Sequence, residues 1–167
     1  MKRFALLMLL CTGLIQAKTH KVDGVVSFSS IKDNAVVVNG TFKAQGTYDD
    51  STGAIKVEVM IKTLATKDPA RDFNIKQFFL NASPTIVVQG NLKEAKDGVL
   101  KTTITYGNAK VPVDFNIAFK DNSLTTTHSW VTLESLGLMG ALPKLMSVCG
   151  HKAVFPSVAV SFKGQVK

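Results

Sequence analysis

Alternation of apolar and polar residues with a period of two is the feature that most restricts how this chain can fold. Within residues 54–62, Ile55, Val57, Val59 and Ile61 fall on one face and Lys56, Glu58 and Lys62 on the other. Within 110–120, Val111, Val113, Phe115, Ile117 and Phe119 oppose Pro112, Asp114, Asn116 and Lys120. Successive side chains of a strand point to opposite faces, so such segments build antiparallel sheet with one face buried and the other solvated. No sustained 3.6-residue period precedes residue 133, which leaves helices a minor part of the fold.

The remaining chain reads the same way. Strands are expected over 21–31, 35–44, 45–49, 54–62, 85–92, 98–106, 110–120, 123–133 and 154–163. Turn chemistry such as Lys32-Asp33-Asn34 and Asp49-Asp50-Ser51-Thr52-Gly53 separates them, and Gly40 reads as a bulge or bend. About eight or nine strands with regular turn signals predict an all-β sandwich or antiparallel barrel. An eight-stranded barrel either fills with side chains or encloses one small ligand, and alternation alone does not separate the two.

Two segments break the strand pattern. Asp68 followed by Pro69 has the form of an N-cap and first helical residue, which predicts a short helix through Phe78 and Phe79. Residues 133–151 are rich in Leu and Met but interrupted by Gly137, Gly140 and Pro143, and read as short helical turns or a lid.

The first 17 residues form a separate unit: Lys2 and Arg3, an apolar run from 4 to 10, and Ala17 at the end. These are the marks of a secretory signal peptide, with cleavage expected after Ala17. Acylation of Cys11, the lipoprotein alternative, meets Leu10 where a small residue is needed. Residues 18–167 then form one domain of a length that supports a core, and the periplasm is the expected location. Loss of Lys2 and Arg3 lowers the formal charge from +8 to about +6. The lysines are scattered and not interleaved with aromatics, which argues against nucleic-acid binding. Transient contact with an anionic membrane surface and a homodimer stay open as partners.

Candidate chemistry is sparse. No Gly-x-Ser-x-Gly, His-Glu-x-x-His, Cys-x-x-Cys or Walker loop occurs, and His20, His128 and His151 fall in no catalytic pattern. Arg71 and Asp72 could grip an anion and act as a base, but no nucleophile or second acid accompanies them, so a structural role is expected. Met139, Met146, Cys149 and His151 are soft donors that suit copper, which makes a metal or redox protein using Cys149 and His151 the alternative reading. Cys149 is the single cysteine after removal of residues 1–17, so no intramolecular disulfide is expected.

The stretch 61–84 reads Ile-Lys-Thr-Leu-Ala-Thr-Lys-Asp-Pro-Ala-Arg-Asp-Phe-Asn-Ile-Lys-Gln-Phe-Phe-Leu-Asn-Ala-Ser-Pro. A strand running to Thr63, a Thr/Asp-containing loop, Arg71-Asp72, Ile75, Phe78-Phe79 and a Pro-opened strand resemble, in that order, the YceI-like family of bacterial periplasmic proteins. Val22-Asp23-Gly24 and Phe42 are similar to its opening strands, although the family often has Tyr where Val22 stands.

The resemblance implies an extended lipocalin-like barrel of about eight strands with one or two short helices, holding a polyisoprenoid or other long-chain amphiphile. It implies a binding, storage or transport protein, not an enzyme, whose ligand is a lipid such as a quinone and which needs no metal or other cofactor. Phe28, Phe42, Phe78, Phe79, Phe115, Phe119 and Trp130 are the expected apolar lining, with Arg71 and Asp72 as a structural motif.

Overall fold

The computed structural model describes residues 18–167. The segment read as a signal peptide, including Cys11, lies outside them. Nine strands form one antiparallel sheet: β1 (Thr19–Lys32), β2 (Val36–Asp49), β3 (Ala54–Met60), β4 (Thr85–Asn91), β5 (Val99–Tyr106), β6 (Ala109–Lys120), β7 (Ser123–Thr126), β8 (Ser129–Thr132) and β9 (Ser157–Val166). Each strand pairs with its neighbour in sequence through β7. β7 and β8 then lie one after the other along β9, and β9 pairs with β1 to close the ring. The result is a lipocalin-like, eight-position β-barrel, in which β8 has a ladder with β9 alone.

Short connections enforce this meander. Asp121 and Asn122 both take positive φ, 51° and 60°, and join β6 to β7 as a two-residue turn whose twist suits a hairpin. Asp33 and Asn34 also take positive φ, 51° and 61°, in the three-residue turn 33–35 between β1 and β2. Asp and Asn tolerate this region because their short side chains bond locally.

Three strand expectations are corrected. Residues 35–44 and 45–49 are one continuous fourteen-residue strand, β2. Gly40 is neither bulge nor bend, because the β1–β2 register runs unbroken from Thr19↔Asp49 to Lys32↔Val36. Gly40 pairs with Phe28, and a Cβ there would lie 2.5 Å from the Phe28 ring, so its missing side chain is the space the ring occupies. The strand expected over 123–133 is broken at Thr127 and His128. Ser123 pairs with Gln165 but Ser129 with Val160, a slip of one residue in register. The slip reverses which face the following side chains occupy.

One barrel end is closed by side chains. Tyr48 on β2 and Phe119 on β6 arise four strands apart and meet with ring centroids 6.1 Å apart, above buried Val22, Leu124 and Val166. The other end carries α1 (Pro69–Phe78) and α2 (Leu142–Cys149), which pack against each other. Asp68 caps α1 through Arg71 N–H at 3.1 Å, with Pro69 in the first turn. Gly150, at φ 66°, ends α2 in the left-handed conformation glycine favours. No helix among the described residues is long and apolar enough to cross a membrane.

Candidate functional site

The inward-facing residues of this barrel do not fill it. Val26 and Phe28 on β1, Phe42 on β2, Val57 and Val59 on β3, and Ile86 and Val88 on β4 face a cavity of about 230 Å³. Leu100 and Ile104 on β5, Phe115 on β6 and Phe162 on β9 complete its wall. The helical end is covered by Ile75, Phe79, Leu142 and Leu145. Ile75 and Phe79 are four residues apart, so they share one side of α1 and its C-terminal junction. Apolar walls of this kind bind apolar matter through burial, without directional demands.

Of the residues expected to line the interior, Phe28, Phe42, Phe79 and Phe115 do so, with Phe28 and Phe42 in ring contact at 5.4 Å. Phe78, Phe119 and Trp130 do not line it. Phe78 turns toward α2, edge-on to Phe73 at 6.5 Å and under the Lys144 ammonium at 5.5 Å. Phe119 shares the inward parity of Phe115 but lies beyond the cavity at the closed end, 43% exposed. Trp130 is 59% exposed. The register slip before Ser129 carries Val131 inward and Trp130 outward, where it meets Phe155 at 6.0 Å.

Sequence reasoning missed Phe162 and Lys32 as lining residues. Lys32 shares the even parity of Phe28 along β1, which was the available signal; the adjoining turn masked it. Tyr106 also faces the cavity. Its hydroxyl accepts the Ala82 N–H at 3.1 Å, and burial pushes its phenol above the ordinary value.

The Arg71-Asp72 pair divides its work. Asp72 accepts the Thr66 N–H at 2.9 Å and the Thr66 hydroxyl at 2.6 Å, tying α1 to the loop that follows β3. Arg71 instead faces the cavity, with Nη2 3.3 Å from Asp68 Oδ2. Asp68 is held below the usual carboxylate range, chiefly by the Arg71 backbone N–H. The two side chains therefore do not converge as an acid–base pair.

Cys149 and His151 also face the cavity at its helical end. Asn74 Nδ2 donates to Cys149 Sγ at 3.6 Å, and His151 Nδ1 lies 3.4 Å from Asp33 Oδ2. Met139 is exposed and Met146 packs against the core. Among the described residues no three His, Cys, Asp or Glu side chains gather as a metal site. Asp33 accepts the backbone N–H groups of Lys152 at 2.8 Å and Ala153 at 3.2 Å, which depress its carboxyl below the ordinary value.

Outside the helical end runs an apolar stripe. Val37 pairs with Ile31, the Phe155 N–H donates to Ile31 O, and Phe155 meets Trp130. Val37, Phe155 and Trp130 are all exposed.

No protein-family model and no curated protein matches the sequence. Solved structures do match in shape. A polyisoprenoid-binding domain from Saccharophagus degradans, implicated in plant cell wall breakdown, superposes with TM-score 0.75 at 11% identity, covering 90% of this chain and 99% of that one. BcnA of Burkholderia cenocepacia gives 0.61 at 17% identity, covering 84% and 94%. A mutant CJ YceI protein bearing a monobromobimane guest gives 0.56 at 14% identity, covering 100% and 99%. With its eight-position barrel, two helices at one end and apolar interior, this chain has the fold of the YceI-like barrels.

Proposed function

We propose that this protein binds a long-chain amphiphile, an isoprenoid lipid such as a quinone, inside the barrel, and stores or carries it in the periplasm. The observation that carries the reading is the cavity itself, walled by aliphatic and aromatic side chains from strands all round the barrel. The shared fold with a domain described as polyisoprenoid-binding supports it. Each buried methylene contributes about 0.8 kcal/mol. Association costs roughly 4–15 kcal/mol in lost freedom, so a cargo must bury on the order of ten or more carbons to bind well. Binding of this kind needs no catalytic group, and the separation of Arg71 from Asp72 supports a carrier over an enzyme.

Cargo would pass through the helical end, since aromatic contacts close the other. The exposed stripe of Val37, Phe155 and Trp130 beside that end supports brief contact with a membrane surface during loading. The test is displacement of a neutral apolar fluorophore, N-phenyl-1-naphthylamine, by polyprenols of increasing length. Saturable probe binding, with displacement that strengthens as the chain lengthens, is expected. Failure of the probe to bind, or displacement indifferent to chain length, would overturn the reading.

A further inference from the structure

Exposed apolar side chains are normally scattered over a protein surface, but here they are gathered at one end. Of the eight large ones among the described residues, only Val25 and Phe119 lie away from the helical end. The other six are Val36 and Val37 at the start of β2, Phe73 on α1, Trp130 on β8, Met139 before α2 and Phe155 before β9. Four of them form a connected edge. Val36 and Val37 are adjacent, Val37 pairs with Ile31, and the Phe155 N–H donates to Ile31 O. The Phe155 ring then meets Trp130 edge-on, at 6.0 Å and 76°. None of these four lines the cavity, so packing of the interior does not account for them. A gathered patch of this kind marks a surface that something else covers.

Charge is distributed along the same axis. In the segments that build the helical end, 32–36, 61–84 and 133–156, seven Lys or Arg stand against four Asp or Glu. Three of those acids, Asp33, Asp68 and Asp72, already accept backbone N–H groups within the protein. At the closed end, residues 18–23, 49–53, 91–98, 120–123 and 166–167 carry six of each sign. The apolar edge and the positive excess therefore coincide, at the end where helices cover the cavity.

We infer that the helical end docks on the surface of an anionic phospholipid bilayer. Trp130, Phe155, Val36 and Val37 enter the boundary between head groups and acyl chains, and the lysines of this end lie against the anionic head groups. The inference rests on the lipid-binding reading above, and it adds the partner surface and the orientation in which the barrel meets it. An apolar edge flanked by basic side chains suits an anionic interface, and an indole is at home at that depth. Docked in this way, the protein turns Ile75, Phe79 and Leu142 toward the bilayer, so an apolar cargo crosses to the cavity without exposure to bulk water. A second copy of the chain is a poorer occupant, since a two-fold contact through this patch would bring two basic ends together.

Trp130 is the single tryptophan, which makes its fluorescence a reporter of docking. Residues 18–167, the whole described barrel, are titrated with vesicles of phosphatidylcholine alone and of an equal mixture with phosphatidylglycerol. On the mixed vesicles the emission should move to shorter wavelength and be quenched by lipid brominated on its acyl chains. Binding should be at least about tenfold weaker on phosphatidylcholine alone and in high salt, because the attraction to anionic head groups is screened. Val37→Asp, and separately the pair Val36→Asp and Val37→Asp, should weaken vesicle binding at least about tenfold and leave N-phenyl-1-naphthylamine binding unchanged, which also shows that the variants fold. No shift on mixed vesicles, equal binding to both compositions, or full binding by the Asp variants overturns the docking face. A shift that follows protein concentration without vesicles, with a doubled mass in light scattering, assigns the patch to a second copy and overturns it too. If vesicle binding fails while N-phenyl-1-naphthylamine is bound and displaced by polyprenols, docking falls and the carrier reading stands. If the vesicles bind and the probe does not, the carrier reading falls and the docking face stands.

Discussion

Among single residues, Gly40 and Val88 show how a small side chain can matter as much as an aromatic one. Phe28 lies against the backbone of Gly40, its cross-strand partner, and forms part of the cavity wall. Gly40→Val should push that ring aside and destabilise the barrel by about 1–3 kcal/mol, the usual cost of overpacking, measured by urea denaturation. An unchanged midpoint would mean that Phe28 moves freely and does not help shape the cavity. Val88→Trp is expected to fill interior space and weaken probe binding severalfold while the far-ultraviolet circular dichroism stays that of a β-protein. Alternation made Phe42 and Phe115 legible as inward residues, because each lies in an uninterrupted strand. It misplaced Trp130, since one residue of slip after β7 changes the face and no residue type announces the slip.

Helices α1 and α2 pack over the barrel through apolar side chains such as Ile75, Phe79 and Leu142, and two acidic side chains bonded to neighbouring loops fix them there. Asp72→Ala would release Thr66, a buried residue, and leave its hydroxyl without that partner. A loss of about 1–3 kcal/mol and faster hydrogen exchange across α1 are expected. Asp33 anchors the loop after α2, and its carboxyl lies below the ordinary value chiefly because the Lys152 N–H and then the Ala153 N–H stabilise the charged form. A depressed folded-state value contributes stability above the unfolded carboxyl's range, and that contribution is lost as pH falls through the folded value. The melting temperature should therefore drop between about pH 5 and about pH 3, with a shallower slope in Asp33→Asn. Identical slopes would show that this anchor is not formed. The start of α1 was readable from Asp68-Pro69, whose capping chemistry is local. The packing of α2 on α1 was not, since it depends on contacts between segments some seventy residues apart.

For the whole molecule, closure of the sheet follows from strand count and turn chemistry, which the sequence carries openly. Whether the interior is filled or hollow depends on the summed volume of inward side chains against the barrel's width, and a period-two pattern holds no information about that sum. The resemblance of residues 61–84 to YceI-like proteins supplied the expectation of a hollow interior, and the cavity lined by Phe28, Phe42, Phe79 and Phe115 agrees with it. Trp130 is the single tryptophan and faces outward, so filling the cavity in solution should leave its emission unmoved. A large shift on adding a soluble amphiphile would mean that ligand binds outside the barrel. The most direct test of the account is native mass spectrometry of the protein purified from the cells that make it, followed by organic extraction. The account predicts a stoichiometric adduct that is released as a long-chain amphiphile. A clean unliganded mass with nothing extractable, or an adduct matching a metal ion held by Cys149 and His151, would contradict it.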